Sequence, residues 1–171
     1  RVSLNNAELD RILGGGLVEG SLVLIGGEPG IGKSTLSLQI PLNCPSLRTL
    51  YVTGEESARQ VKLRAARIGG DDSGCLIYSE TLMENIISEA RTIMPDLMVV
   101  DSVQTMFSQN VESSPGSVTQ IKETASMLRR FAKETGVPVI LIGHITKEGS
   151  IAGPKILEHI VDVVLQFEGD N

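Results

Sequence analysis

The sequence contains no tryptophan, and aromatic residues make up only 3% of its 171 residues. The apolar residues, 41% of the chain, are therefore mostly aliphatic, which suits a core of buried parallel strands and packed helices. A chain of this length buries about 70% of its unfolded surface, enough for one complete domain. The composition predicts a single α/β domain.

Cysteine is scarce, and no apolar run is long enough to cross a membrane. Cys44 and Cys75 lack the C-x-x-C spacing of zinc and redox sites, so we expect two free thiols. No basic-then-apolar leader is present. We expect a cytoplasmic protein with no membrane partner and no metal other than Mg²⁺.

Positive charge is also in short supply, since the formal net charge is −6. An acidic surface disfavours nonspecific wrapping of nucleic acid by the whole protein. It still allows a local basic loop to contact a strand inside an assembled ring.

Six apolar runs are predicted to be strands, and the segments between them have helical spacing. This alternation is typical of βαβ units and a parallel sheet. Two of the helices are predicted after Glu56 and after Ser117, a candidate N-cap. The predicted strands are 21–25, 49–53, 75–79, 97–100, 137–142 and 163–167.

The most specific motif follows the first predicted strand and is a complete G-x-x-x-x-G-K-[ST] sequence. Its glycines let backbone N–H groups point into one concavity, and the next helix directs its positive dipole end there. Lys33 is expected to reach the β- and γ-phosphates of a nucleotide, and the Ser34 hydroxyl to ligate Mg²⁺. The predicted phosphate-binding residues are Gly27, Glu28, Pro29, Gly30, Ile31, Gly32, Lys33, Ser34 and Thr35.

Asp101 follows the apolar run 97–100, in the form of a Walker B motif. It is expected beside the phosphate loop, because both emerge from the same edge of a parallel sheet. We expect Asp101 to hold the Mg²⁺ shell through water, together with Ser34. The alternative is an acidic residue that only ends the strand.

Two adjacent carboxylates, Glu55 and Glu56, follow the second predicted strand. A carboxylate near the γ-phosphate can orient the attacking water and accept its proton as a general base. Only one of the two can point inward from an extended strand end, and we favour Glu55. Glu56, or neither, is the alternative, in which case both are acids that stabilise the following helix dipole.

His144 lies where the fifth predicted strand runs into a polar loop that reaches Pro154. A polar side chain at that point can contact the γ-phosphate and transmit its loss to the loop. The alternative is a loop histidine with an ordinary hydrogen bond. His159 is interpreted as a residue on a short helix face rather than as a ligand.

These motifs together resemble the ATPase domain of the bacterial RadA family, also called Sms, and the resemblance covers nearly the whole chain. The lead-in and phosphate loop are shared with the wider RecA and KaiC groups, whereas the loop after the fifth strand is close to diagnostic. The resembling stretches are 4–17, 27–35, 54–57 with Gln60 and Arg64, and 143–155.

The resemblance implies a RecA-like P-loop NTPase fold, an α/β domain with a mostly parallel central sheet flanked by helices. It implies ATP and Mg²⁺ as cofactors, and a catalytic set of Lys33, Glu55, Asp101 and His144. Glu55 falls at the position of the catalytic glutamate and His144 at that of the γ-phosphate sensor. Lys147 and Lys155 become the candidate DNA contacts.

The family resemblance also implies partners and a longer protein. The expected partners are single-stranded DNA, branched recombination intermediates, five further copies in a hexameric ring, and a RecA-type recombinase. The expected activity is DNA-dependent, helicase-like branch migration. The family's zinc finger, Lys-Asn-Arg-Phe-Gly motif and Lon-protease-like domain are not in this chain, so we expect residues 1–171 to be the RecA-like ATPase domain of a longer protein.

Other phosphate-transfer functions are less consistent with the sequence. A KaiC-like signalling ATPase that phosphorylates itself also has paired glutamates after the second strand, but the basic, glycine-containing loop after His144 favours a motor. A small-molecule kinase needs an arginine-rich lid, and no such loop is evident. A GTPase needs an Asn-Lys-x-Asp run, which is missing.

Overall fold

The computed structural model of the chain describes residues 1–27, 33–144 and 154–167, with the backbone alone described for 33–35, 154 and 167. Six strands form one sheet, whose described pairings are all parallel. The strands are β1 (Leu22–Gly27), β2 (Thr49–Thr53), β3 (Cys75–Ser79), β4 (Leu97–Asp101), β5 (Val139–His144) and β6 (Val163–Phe167). The predicted α/β class with a parallel sheet flanked by helices is confirmed.

Helices fill the connections between these strands. The elements are α1 (Ala7–Ile12), α2 (Lys33–Asn43), α3 (Ala58–Ile68), α4 (Met83–Ile93), a 3₁₀ turn (Val103–Thr105), α5 (Val118–Thr135) and α6 (Pro154–Leu157). The predicted cap at Ser117 is present, because its hydroxyl accepts a hydrogen bond from the Gln120 N–H. In the described ranges, none of the helices has both the length and the apolar character needed to cross a bilayer.

In three strands, β1, β4 and β5, the boundaries differ from the predicted ones by one or two residues, and β1 continues to Gly27. β1 starts one residue later, because the Ser21 hydroxyl and N–H both bond to the Val18 carbonyl in the preceding turn. β5 starts after Pro138, which has no N–H for the sheet. β4 and β5 continue to Asp101 and His144, so both predicted site residues are the last residues of their strands.

The alternating side chains of the strands build two cores, one on each face of the sheet. Leu22 and Leu24 of β1 face the layer of α4, α5 and α6, whereas Val23 and Ile25 face α1, α2 and α3. Fully burying a Val, Leu or Ile side chain contributes roughly 1.5–3 kcal/mol. β1, β2 and β4 are buried along their whole described length, which explains why their sequences read as continuous apolar runs.

The strand order, β3-β2-β4-β5-β1-β6, positions the site. In the register of the sheet, Asp101 of β4 lies between Thr53 of β2 and Ile142 of β5. Gly27 of β1 pairs with His144 of β5. The carboxyl ends of these four central strands therefore lie at one edge, where ligands of open α/β sheets bind.

Candidate active site

The predicted phosphate loop lies between β1, which ends at Gly27, and α2, which begins at Lys33. Glu28, Pro29, Gly30, Ile31 and Gly32 lie outside the described residues, as do the side chains of 33–35. The strand and the helix flank the motif as predicted. The N-terminal end of α2 follows the carboxyl end of β1 and faces the carboxyl edge of the sheet. The phosphate and metal roles of Lys33, Ser34 and Thr35 stay predictions.

Three of the predicted catalytic residues come together at the carboxyl edge of the sheet. Glu55, Asp101 and His144 each present a ligand-type atom, and these atoms all lie within 4.8 Å of one another. They follow or end β2, β4 and β5, which are adjacent strands. Parallel topology therefore brings residues that are up to 89 positions apart into one site.

Glu55 is turned into this cluster by two side chains. Its Oε1 atom accepts a hydrogen bond from the Ser102 hydroxyl at 2.8 Å and lies 2.7 Å from His144 Nε2. An ionised carboxylate only accepts, so Nε2 of His144 carries the proton in this contact. Among the described residues, the buried Nδ1 atom of His144 has no hydrogen-bond partner.

Glu56 points the other way and forms an ion pair with Arg64 of α3. The backbone N–H groups of Glu55 and Glu56 both bond to the Thr53 hydroxyl, which fixes the turn after β2. Gly54 is required there, since a Cβ at this position would lie 2.3 Å from Thr105 Oγ1. The two glutamates thus have different surroundings, as expected when only one of them enters the site.

Asp101 is almost fully buried, with 1% of its surface exposed. Its Oδ2 atom accepts a hydrogen bond from the Tyr51 hydroxyl at 3.3 Å. Ligand-type atoms of Asp101, Glu55 and His144 lie within 4.8 Å of one another, a grouping that could hold a metal ion. Oxygen donors are those that Mg²⁺ prefers, with one or two carboxylates and the substrate phosphates around it, so Asp101 fits the predicted magnesium site.

Sequence reasoning missed three residues of this site. Ser102 holds Glu55, and its hydroxyl directly after Asp101 is a signal that was available. Gln104 brackets the His144 backbone, donating to its carbonyl at 2.9 Å and accepting from its N–H at 3.2 Å. No sequence signal marks Gln104, because it reaches His144 from a 3₁₀ turn 40 residues away. Tyr51 could have been found, since a buried tyrosine hydroxyl needs a partner.

The predicted DNA contacts are only partly described. Lys147 lies outside the described residues, and Lys155 is an exposed residue of α6. His159 lies in the turn beyond α6, so its assignment to a helix face is wrong: the helix ends at Leu157. Its side chain is 90% exposed and 3.6 Å from Glu158, and it is not part of the site.

Comparison with known proteins identifies the family of the chain. A family model described as an AAA domain matches residues 5–150. Relatives named DNA repair protein RadA include those of Pseudomonas aeruginosa, 52% identical over 100% of this chain and 38% of the relative, and Bacillus subtilis, 52% identical over 99% and 38%. The Aquifex aeolicus relative is 55% identical over 95% of this chain and 37% of its own length. The chain spans about two fifths of the length of these relatives. It belongs to the AAA domain family, has the α/β fold of a RecA-like P-loop NTPase, and is similar along almost all of its length to these RadA relatives.

Proposed function

We propose that this domain hydrolyses ATP for a DNA repair motor, with Glu55 as the general base. The observation that carries the proposal is the position of Glu55 Oε1, 2.8 Å from Ser102 Oγ and 2.7 Å from His144 Nε2. The two contacts aim one carboxylate at the edge where the strand–loop–helix motif would hold phosphates. Relatives with the name of a DNA repair protein support the biological role.

Each residue of the site has a distinct task in the proposed reaction. Lys33 neutralises the β- and γ-phosphates, and Ser34 with Asp101 holds Mg²⁺. When bound, Mg²⁺ neutralises charge that develops on the phosphate oxygens. Glu55 orients the attacking water and takes its proton, a contribution of about 10²- to 10⁴-fold in rate. Ser102 and His144 hold the Glu55 carboxylate in position.

His144 is the proposed link between ATP and DNA. It contacts Glu55 through Nε2, and it is the last residue of β5, directly before residues 145–153 in the sequence. Gln104 forms two hydrogen bonds with the His144 backbone and so fixes the position of the residue. In the proposal, loss of the γ-phosphate changes the contacts of the His144 side chain, and this change is passed to the residues that follow it in the sequence. Lys147 and Lys155 then contact the phosphates of a single strand.

The finer properties of the motor are part of the same proposal. We infer that the domain works within a longer protein as a homo-hexameric ring in the cytoplasm. Its substrates are single-stranded DNA and branched recombination intermediates, on which it drives branch migration with a RecA-type recombinase. The net charge of −6 supports DNA contact through a local loop rather than through the whole surface.

The test measures the ATP hydrolysis rate with and without single-stranded DNA in the full-length protein that contains this domain. His144→Ala should still bind ATP and DNA but lose the stimulation of hydrolysis by DNA. His159→Ala is a matched control, because the chain has only these two histidines and His159 is solvent-exposed. Full DNA stimulation in His144→Ala would contradict the proposed link, and Thr146 would be the next residue to test. A parent protein whose hydrolysis is indifferent to DNA would instead favour the signalling alternative.

A further inference from the structure

Tyr51 is a direct neighbour of Asp101, the acid that is proposed to hold Mg²⁺. It is in β2, where it pairs with Val99, and two residues later Thr53 pairs with Asp101. Residues two apart in a strand share a face, so Tyr51 and Asp101 point to the same side of the sheet. The Tyr51 ring is completely buried, and its hydroxyl reaches Asp101 Oδ2 at 3.3 Å.

The same hydroxyl also contacts the helix that follows the phosphate loop. Ser37 Oγ of α2 is 3.2 Å from the Tyr51 oxygen, and Ser37 is fully buried. Ser37 lies four residues after Lys33, on the same face of α2. The Tyr51 phenol has a single proton, which it donates to the carboxylate, so the Ser37 hydroxyl donates to the Tyr51 oxygen. A chain of two hydrogen bonds therefore runs from α2 through Tyr51 to Asp101.

Tyr51 is suited to be a permanent donor. A phenol hydroxyl keeps its proton at neutral pH and is therefore a hydrogen-bond donor to the carboxylate. Both hydrogen bonds are longer than the 2.5–3.0 Å typical of O–H···O contacts.

We propose that Tyr51 is a positioning residue that fixes the Asp101 carboxylate relative to α2, so that the metal-holding acid and the phosphate-binding helix keep one geometry. The inference rests on the proposed function, because it takes Asp101 as the acid that holds Mg²⁺. Tyr51 does not contact ATP. It acts on the site through Asp101 and Ser37.

The test compares Tyr51→Phe with Tyr78→Phe in the full-length protein. The chain has only these two tyrosines, and Tyr78 lies on the edge strand β3, away from Asp101. The measured quantity is the dissociation constant of a non-hydrolysable ATP analogue, with Mg²⁺ and with EDTA. In Tyr51→Phe the affinity in EDTA should stay within about 2-fold of the parent, while the gain in affinity from Mg²⁺ should shrink by about 5- to 10-fold. Tyr78→Phe should match the parent in both conditions.

A second readout is the Mg²⁺ concentration that gives half-maximal hydrolysis. It should rise in Tyr51→Phe by a similar factor, and excess Mg²⁺ should restore the rate. If Tyr51→Phe does not fold, Ser37→Ala breaks the other end of the hydrogen-bond chain. That variant should change the Mg²⁺-linked affinity in the same direction.

Several outcomes would overturn the inference. A lower melting temperature with parental Mg²⁺-linked affinity would show that the hydroxyl has only a structural role. Equal losses in Mg²⁺ and in EDTA would show that Tyr51 acts on α2 alone. The binding measurement needs no hydrolysis, so the two proposals can fail separately. A parent protein that binds Mg²⁺ with the nucleotide but does not hydrolyse ATP would refute the proposed function. The Tyr51 inference would then still be decided by the affinity measurement. A parent that binds the analogue equally well with and without Mg²⁺ would refute both.

Discussion

Asp162 and Asp101 are aspartates at opposite edges of the same sheet, and their surroundings differ. Asp162, just before β6, accepts a hydrogen bond from the Leu22 N–H at 2.7 Å and from Lys133 Nζ at 2.9 Å. Asp101, at the end of β4, accepts a hydrogen bond from the neutral Tyr51 hydroxyl and lies close to the second carboxylate of Glu55. At one edge the carboxylate is paired with cations, and at the other it lies in a cluster with a second carboxylate and a histidine.

The difference indicates how the domain divides stability from function. At the amino-terminal edge, Asp162 joins the starts of β1 and β6, because its own N–H also donates to the Leu22 carbonyl. At the carboxyl-terminal edge, Asp101 lies with Glu55 and His144, a set of ligand-type atoms that fits the proposed catalytic and magnesium roles. β1 thus begins at a stabilising contact and ends at the proposed phosphate loop. Variants at the two edges should have separable effects.

The largest expected effect on ligand binding comes from Lys33→Ala compared with Lys133→Ala. Lys33→Ala should weaken ATP binding by about 10²-fold, because the phosphates lose a charge-assisted partner, with little change in melting temperature. Lys133→Ala should leave ATP affinity intact and lower stability slightly, since it removes an ion pair whose side chains are 43% and 31% exposed. Titration calorimetry and thermal melting of both variants check this. Loss of ATP binding in Lys133→Ala would break the proposed division.

An effect of intermediate size is expected on stability at Asp162. Asp162→Ala should lower the free energy of unfolding by about 1–3 kcal/mol, because the Leu22 N–H loses its acceptor. For a chain of this size that is a fall in melting temperature of roughly 2–4 °C per kcal/mol. Asp162→Asn keeps an acceptor oxygen and should cost less. If both variants retain the parental melting temperature, Asp162 does not stabilise this edge.

The pH dependence of stability gives a further check on Asp162. Burial alone would raise the pKa of its carboxyl, but the Leu22 N–H and the Lys133 and Arg129 cations outweigh burial and hold the pKa below the ordinary value. A lowered pKa in the folded state means that the contribution to stability is present above the unfolded pKa, about 3.9, and is lost as the pH falls through the folded value. Denaturant melts at pH 7 and pH 3 should show a smaller difference between parent and Asp162→Ala at the lower pH.

The smallest expected effect concerns DNA. Each phosphate that is neutralised on a single strand contributes about −0.7 to the slope of log affinity against log salt. Replacing Lys147 and Lys155 together by Ala should therefore weaken binding to all sequences and flatten the slope by about 1.4. Lys62 and Lys122, exposed on α3 and α5, are the control pair. An equal flattening in the control pair would indicate general electrostatics rather than a specific loop.

The sequence was sufficient to predict much of the fold, for a physical reason. Buried parallel strands need continuous apolar runs, so all six strands could be located. The bounds differ at Ser21, which joins a turn, at Pro138, which lacks an N–H, and at the carboxyl ends of β1, β4 and β5. Asp101 and His144 could be selected because each ends such a run. The order of the strands could not be predicted, since it depends on pairing between distant segments.

The contacts made by the residues behind the site were beyond sequence reasoning, even where Ser102 and Tyr51 gave a signal of their own. The surroundings that distinguish Glu55 from Glu56 depend on contacts with Ser102 and Arg64, which are remote or on another element. Gln104 reaches His144 across 40 residues, and Tyr51 reaches Asp101 across 50. The pairing of strands in the sheet brings these side chains together, so their spacing along the sequence does not predict their contacts.

The central claim, that the carboxyl edge is a hydrolysis site with Glu55 as its base, is tested most directly by comparing Glu55→Gln with Glu56→Gln. The turnover of saturating Mg·ATP is measured in the full-length protein, with nucleotide affinity measured in parallel. Glu55→Gln should bind ATP like the parent but turn over about 10²- to 10⁴-fold more slowly, while Glu56→Gln should stay within a few-fold of the parent. A parental rate in Glu55→Gln, with the loss in Glu56→Gln instead, would contradict the account.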